Sequence, residues 1–155
     1  MTDSDPATAA VRDPADADAD ADGPASRAVV VLDTNALMMP VECDVRVFDE
    51  LDRVVGDVEA VVPRAVLAEL DGLAASGAGE EATAARVGRD LAERCAVVET
   101  DASYADDAVI EAATAGRVDV AGVVTNDRPL RDRLLERGVR VIGLRGRNTL
   151  ERTQP

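Results

Sequence analysis

Valine-rich runs alternate with amphipathic stretches from residue 28 to about residue 144, and this alternation is the feature that most constrains the fold. The runs are continuously apolar, which is typical of strands that are buried on both faces. The stretches between them carry apolar residues at the helical period. Strands and helices that alternate in this way predict an α/β fold in three layers, with a central parallel sheet of about five strands and helices on both faces.

The same pattern places the individual elements. We predict strands over residues 28–32, 60–62, 96–98, 120–124 and about 139–144. We predict helices over residues 45–55, 63–75, 80–95, 103–115 and 129–137. Because these elements form one continuous series, the folded part is predicted to be a single domain over residues 28–151, with a short tail at 152–155.

The first 27 residues have a different composition. They contain seven acids, two Arg and three Pro, in low-complexity sequence such as DPADADADADGP, and they show no apolar periodicity. A segment of this kind cannot bury enough apolar surface to offset the entropy that it would lose on ordering. We therefore predict a disordered acidic tail over residues 1–27.

The residue types that are missing limit the chemistry. All 17 basic residues are Arg, and the chain has neither Lys nor His. These absences exclude a phosphate-binding P-loop, a Schiff-base lysine and any site built on imidazole. No apolar run approaches the roughly 20 residues of a membrane span, and the start of the chain lacks the pattern of a signal peptide. We therefore expect a cytoplasmic protein that binds no membrane and relies on carboxylates and hydroxyls.

The charge of the chain is strongly negative, with a net value of −14. Abundant Asp without Lys is typical of proteins from salt-loving archaea, so the acid excess does not exclude a nucleic acid as a partner. The sign reverses at residue 128, since the last 28 residues contain eight Arg and three acids. For each arginine in this segment, contact with a polyanion and simple exposure to solvent are equal alternatives. The candidates for contact are Arg128, Arg131, Arg133, Arg145 and Arg147.

One acid is associated with each of the first four predicted strands. In chain order these acids are Asp33, Glu69, Asp107 and Asp127. Because the carboxyl ends of parallel strands meet at one edge of the sheet, the four carboxylates can converge there. Singly, each is more simply explained as a helix cap or a solvated helix acid. Together they would repel one another unless a cation compensates, and Mg²⁺ or Mn²⁺ suits a site made only of oxygen ligands.

Five segments resemble, in chain order, the PIN-domain family of metal-dependent ribonucleases. The segments are VVVLDTNALM, VPRAVLAELDGL, YADDAVIEAA, VVTNDRPLRDRL and VRVIGLRGRNTLE. The resemblance covers residues 28–151 and implies a PIN-like fold with a catalytic acidic quartet at Asp33, Glu69, Asp107 and Asp127. It further implies that Asp33, Asp107 and Asp127 hold the metal, with Asn35 and Thr125 as polar neighbours.

Two consecutive acids compete for one place in this quartet. Ser103 and Asp106 have the spacing of a capping box, so Asp106 is assigned to capping the helix that follows. The run from Asp107 to Ile110 matches the family better, so Asp107 is assigned to the site.

The resemblance implies a metal-dependent endoribonuclease that hydrolyses RNA with Mg²⁺ or Mn²⁺ as its cofactor. It is strongest to archaeal proteins related to nucleases that process small-subunit rRNA, with toxins of toxin–antitoxin pairs as near relatives. RNA is the expected partner, together with ribosomal precursor particles or an antitoxin. The sequence leaves open whether the protein forms a homodimer. A non-catalytic RNA-binding PIN module is one alternative, against which the complete quartet argues. A receiver-like domain is another, but it would need a Lys that the chain lacks.

Overall fold

The computed structural model describes residues 28–116 and 118–155. The tail predicted over residues 1–27 lies outside these residues. The described strands are β1 Val29–Leu32, β2 Glu59–Pro63, β3 Ala96–Val98, β4 Val120–Val124, β5 Val141–Arg145 and β6 Thr149–Thr153. The helices are α1 Thr34–Glu42, α2 Val47–Val55, α3 Arg64–Ser76, α4 Gly79–Leu91, α5 Ala105–Thr114 and α6 Arg128–Glu136, and a 3₁₀ turn follows α4.

The strands form one sheet in the order β3-β2-β1-β4-β5-β6. Strands β1 to β5 run parallel, whereas β6 pairs antiparallel with β5. Helices flank the sheet, so the predicted α/β fold with a central, mostly parallel sheet is confirmed. The sheet has six strands where about five were predicted. No helix in the described part of the chain is long and apolar enough to cross a membrane.

Strand β6, near the carboxyl end of the chain, was not predicted from the sequence. It continues to Thr153, so the tail predicted at residues 152–155 begins inside a strand. Leu150 is its buried residue, and α2 covers the outer edge of the strand at this point. The backbone N–H of Leu150 donates to Glu50 (2.9 Å), and its carbonyl accepts from Arg53 (2.7 Å). These side chains satisfy backbone groups that an edge strand would otherwise leave open.

Helix α1 was also absent from the predicted elements. It starts one residue after β1, and its residues 36–39 are all buried, so it shows no amphipathic period. Pro40 lies inside the helix and further weakens the sequence signal. The practical consequence is that Asp33 lies between a buried strand and a buried helix.

Helices α1 and α4 pack closely, and Gly88 of α4 makes this possible. A Cβ atom at Gly88 would lie 2.7 Å from the backbone carbonyl oxygen of Leu37, a contact that cannot be relieved by a side-chain rotation. At Gly72, on the exposed side of α3, a Cβ atom would meet nothing within 4 Å. Gly72 therefore offers a matched control in another helix.

We expect Gly88→Ala to lower the free energy of unfolding by roughly 1–3 kcal/mol, because α1 and α4 must move apart. Gly72→Ala should raise it by about 0.5–1 kcal/mol, since Ala favours the helix without a clash. Denaturant unfolding of both variants measures the difference. If Gly88→Ala were as stable as Gly72→Ala, the described packing of α1 on α4 would be incorrect.

Candidate functional site

The order of the strands places a topological switch point at the carboxyl ends of β1 and β4, and we call this region the β1–β4 crevice. From β1 the chain crosses to β2 on one side, and from β4 it crosses to β5 on the other. The two connections leave in opposite directions, and this is the point of an open α/β sheet where ligands bind. The residues that follow these strands, Asp33 and the Thr125–Asp127 loop, therefore occupy the position expected of a functional site.

Asp33 is a buried carboxylate at this crevice, with 3% of its surface exposed. Its Oδ1 accepts from the backbone N–H of Ala36 (2.8 Å), and its Oδ2 accepts from the hydroxyl of Thr125 (2.5 Å). Burial raises the pKa of Asp33 to about 7, and the nearby charges of Asp106 and Asp127 add to the rise, while the two hydrogen bonds oppose it. The site therefore holds an acid whose negative charge is unfavourable without a compensating cation.

The loop between β4 and α6 fixes the second acid. Thr125 is fully buried, and its hydroxyl accepts from the backbone N–H of Asp127 (3.0 Å) while it donates to Asp33. Asp127 caps α6, because its Oδ1 accepts from the N–H of Leu130 (3.1 Å). Asp33 likewise caps α1, so capping is confirmed for both acids. Capping occupies one carboxylate oxygen in each case and orients the group, which leaves a role in the site open.

A second hydrogen-bonded path joins the same elements through two asparagines. The side-chain oxygen of Asn35 accepts from the backbone N–H of Asn126 (2.7 Å). The side-chain oxygen of Asn126 in turn accepts from the N–H of Leu144 at the end of β5 (3.0 Å). Asn35 and Thr125 thus lie where the sequence placed them, as neighbours of the first and last acids. Asn126 was missed, although its position between Thr125 and Asp127 marks it as part of the loop.

Glu69 reaches the site from α3. It is exposed, and its Oε1 accepts from the hydroxyl of Thr34 (2.6 Å), the first residue of α1. Thr34 was not among the predicted site residues, and its signal in the sequence is only its place directly after Asp33. This bond ties the middle of α3 to the start of α1 and holds the carboxylate near the crevice.

At the start of α5 the structure differs from the roles predicted for the two consecutive acids. Asp106 does not cap the helix: the N-cap is Tyr104, and it makes no side-chain capping bond. Instead, partial burial and the charges of Asp127 and Glu69 raise the pKa of Asp106, whose own charge acts on Asp33. Asp107 forms an ion pair with Arg133 (2.9 Å). Asp106, rather than Asp107, therefore lies in the electrostatic neighbourhood of the other three acids.

The arginines of the basic segment fall into different environments. Arg133 pairs with Asp107, and its charge lowers the pKa of Asp106, so it belongs to the border of the acidic site. Arg145 lies 3.9 Å from Glu151 across the β5–β6 hairpin, and Arg147 is exposed in the turn. Arg128 and Arg131 are exposed on α6, which starts at the site. Four of the five predicted contact residues are thus exposed or weakly paired.

The donor set fits a hard divalent cation. All side-chain groups around the crevice offer oxygen, which Mg²⁺ and Mn²⁺ prefer. Among residues 28–116 and 118–155, no three acidic, Cys or His side chains are close enough together to bind one ion directly. Mg²⁺ commonly uses one or two carboxylates and keeps several waters. The residues therefore fit an ion held by Asp33 and Asp127, with Glu69 and Asp106 acting at longer range.

Comparison with known families agrees with this geometry. Residues 30–147 match the family described as "PIN like domain". The chain belongs to the PIN-like domain family. The match runs from the second residue of β1 through β5 and includes Asp33, Glu69, Asp106, Asp107 and Asp127, so the resemblance to the PIN-domain family inferred from the sequence is confirmed.

Two solved structures share the fold of this PIN-like domain. The first, described as the PIN domain endonuclease Utp24, is 22% identical, covers 82% of this chain and 92% of its own, and has a TM-score of 0.66. The second is a domain of a functionally unknown protein from Methanocaldococcus jannaschii, with 18% identity, coverage of 77% and 92%, and a TM-score of 0.54. No curated protein matches the chain.

Proposed function

We propose that this PIN-like domain is a divalent-metal-dependent endoribonuclease that hydrolyses phosphodiester bonds in single-stranded RNA. The observation that carries the proposal is the buried Asp33 carboxylate at the β1–β4 crevice, whose pKa is raised to about 7 beside Asp106 and Asp127. A buried carboxylate beside two further acids, in a chain without Lys or His, is unfavourable for folding, and a bound cation would offset that cost. The solved endonuclease Utp24 shares the fold, which supports the same class of activity.

The candidate site residues would have different roles in such a reaction. Asp33 and Asp127 are oriented by their capping bonds and by the shared Thr125 hydroxyl, so they would hold Mg²⁺ or Mn²⁺. Such an ion supplies Lewis-acid stabilisation of the phosphate and activation of water at neutral pH. Asp106 and Glu69 would orient the attacking water and accept its proton. Thr34 holds the Glu69 carboxylate in place, and Thr125 holds the Asp33 carboxylate and the backbone of Asp127.

The exposed arginines would guide the substrate to this acidic crevice. Arg128 and Arg131 lie on the helix that Asp127 caps, and Arg145 and Arg147 lie at the β5–β6 turn, which Asn126 connects to the site through Leu144. Guanidinium groups bind phosphates by forked hydrogen bonds and stack on unpaired bases. We propose RNA precursors of the ribosomal small subunit as the substrates, in line with the sequence resemblance.

The purified protein tests the proposal on an end-labelled single-stranded RNA in molar KCl. We expect cleavage with Mn²⁺ or Mg²⁺, none with excess chelator, and downstream fragments that begin with a 5′-phosphate. Fragments ending in a 2′,3′-cyclic phosphate, or cleavage that chelator leaves unchanged, would contradict metal-assisted hydrolysis.

A further inference from the structure

The chain has two aromatic residues, one Phe and one Tyr, and they lie in opposite environments. Phe48 packs against the core, and the Arg94 guanidinium covers its ring at 4.0 Å from the centroid. Tyr104 has 76% of its surface exposed. Its phenol has no hydrogen-bond partner in the described part of the chain. The single tyrosine thus presents its ring to solvent.

Tyr104 lies at the start of α5, directly before the helical turn that carries Asp106 and Asp107. It is the N-cap of α5, and its carbonyl accepts from the N–H of Ala108 (2.9 Å), which fixes its backbone to the first helical turn. Asp106, two residues later, interacts electrostatically with Asp33, Asp127 and Glu69. The ring is therefore attached to the helix start that also carries Asp106, and Asp107 of the same turn pairs with Arg133 of α6, the helix that Asp127 caps.

Exposure alone would not distinguish Tyr104, because single exposed apolar residues are common on protein surfaces. Two other large apolar residues are exposed in the described chain, Val97 at 41% and Val118 at 51%. Val97 lies on the edge strand β3, and Val118 precedes β4 at the amino end of the sheet, away from the acids. Tyr104 differs from both in its place at the carboxyl edge and in its aromatic ring.

We propose that Tyr104 is a base-stacking residue, which holds one unpaired RNA base against its ring and so places the neighbouring phosphate at the acids. The inference rests on the proposed function and adds the reason for a preference for single strands, since a base in a duplex would have to break its pairing and stacking to meet the ring. Stacking on an aromatic side chain is tolerant of sequence, because every base offers a π-face.

A series of RNAs that each lack one base tests this role, with cleavage measured for the wild-type protein and for Tyr104→Ala. On the wild-type protein, removal of the stacked base should lower kcat/KM by about 5- to 150-fold at one position of the RNA only. Tyr104→Ala should show a loss of that size on intact RNA and no further loss at that position. Tyr104→Phe should behave as wild type, and Val97→Ala serves as the control for an exposed apolar residue elsewhere.

Tyrosine emission gives a second readout that does not require cleavage. The chain has one Tyr and no Trp, so its emission reports Tyr104 alone. In chelator, a saturating short RNA should quench this emission, and the RNA that lacks the stacked base should quench it less, with free tyrosinamide as the inner-filter control. If the wild type cleaves RNA but the loss in kcat/KM caused by Tyr104→Ala multiplies with the loss caused by removing a base at any position, the stacking role is wrong and the nuclease proposal stands. If the protein binds and cleaves no RNA, both are wrong.

Discussion

Asp33→Asn should reduce metal-dependent RNA cleavage by about 10³-fold or more, the largest effect expected of any substitution in the chain. Lewis-acid stabilisation by a bound cation is worth several kcal/mol, and the amide offers one oxygen without the negative charge. The amide can keep the capping bond from Ala36, and Asn is a favourable N-cap residue, so the fold should survive. Single-turnover cleavage with Mn²⁺ measures the loss.

The same substitution should stabilise the protein in the absence of divalent cations at alkaline pH. In the folded protein the pKa of Asp33 is about 7, compared with an ordinary value of 3.8. As pH rises from 4 to 7, the unfolded chain loses this proton while the folded protein keeps it, so the stability of the wild type falls by about 4 kcal/mol at most. The Asn variant lacks this loss.

Urea unfolding in chelator at pH 4, 6 and 8 separates the two proteins. The advantage of Asp33→Asn should be near zero at pH 4 and fully developed above pH 7. Asp90→Asn, which removes an exposed acid of α4, should track the wild type at every pH. A variant at Asp33 that is less stable than wild type at pH 8 would show that the carboxylate is a structural cap only.

The second large effect concerns the neighbouring acids of α5. We expect Asp106→Asn to lower kcat/KM for RNA by about 10²- to 10³-fold, because Asp106 interacts with the charges of Asp33, Asp127 and Glu69. Asp107→Asn should change it by no more than a few fold, since Asp107 pairs with Arg133 at a half-exposed position, and such pairs contribute little to stability. Cleavage assays of the two variants side by side check the order.

The two variants are matched in charge and differ by one position, so a general electrostatic effect on RNA binding would act on both. A larger loss for Asp107→Asn than for Asp106→Asn would restore the assignment made from the sequence and contradict the geometry.

The sequence predicted the sheet and the edge at which the site lies. Continuous valine runs predicted the strands, of which β1 is buried throughout and the edge strand β3 is largely exposed. The acids after β1 and β4 are adjacent in space because parallel strands end at one edge. The family resemblance placed Asn35 and Thr125 beside Asp33 and Asp127, and in the structure both side chains form hydrogen bonds between the residues that follow β1 and β4.

The choice between Asp106 and Asp107 could not be made in this way. Consecutive residues of a helix point about 100° apart, so the direction of each side chain depends on how α5 rotates against the sheet. That rotation is set by the burial of Ala108, Val109 and Ile110, which is a property of the packed structure. The capping-box spacing of Ser103 and Asp106 and the family pattern together selected Asp107, the residue that pairs with Arg133.

Strand β6 was missed for a different physical reason. Four of its five residues are polar, and its only fully buried residue is Leu150. The strand is stabilised by pairing with β5 and by contacts from Glu50 and Arg53, which lie about a hundred residues earlier in the chain. No local pattern encodes such a contact, so the segment resembles a polar tail.

Direct binding of Mn²⁺, followed by the electron paramagnetic resonance signal of the free ion, tests the central claim that the acids at the β1–β4 crevice hold a divalent cation. The titration belongs at pH 8 in molar KCl, where screening suppresses diffuse binding to a chain with a net charge of −14. We predict saturable binding by the wild type and by Asp90→Asn, and loss of that binding in Asp33→Asn. Equal Mn²⁺ affinity of Asp33→Asn and the wild type would contradict the account.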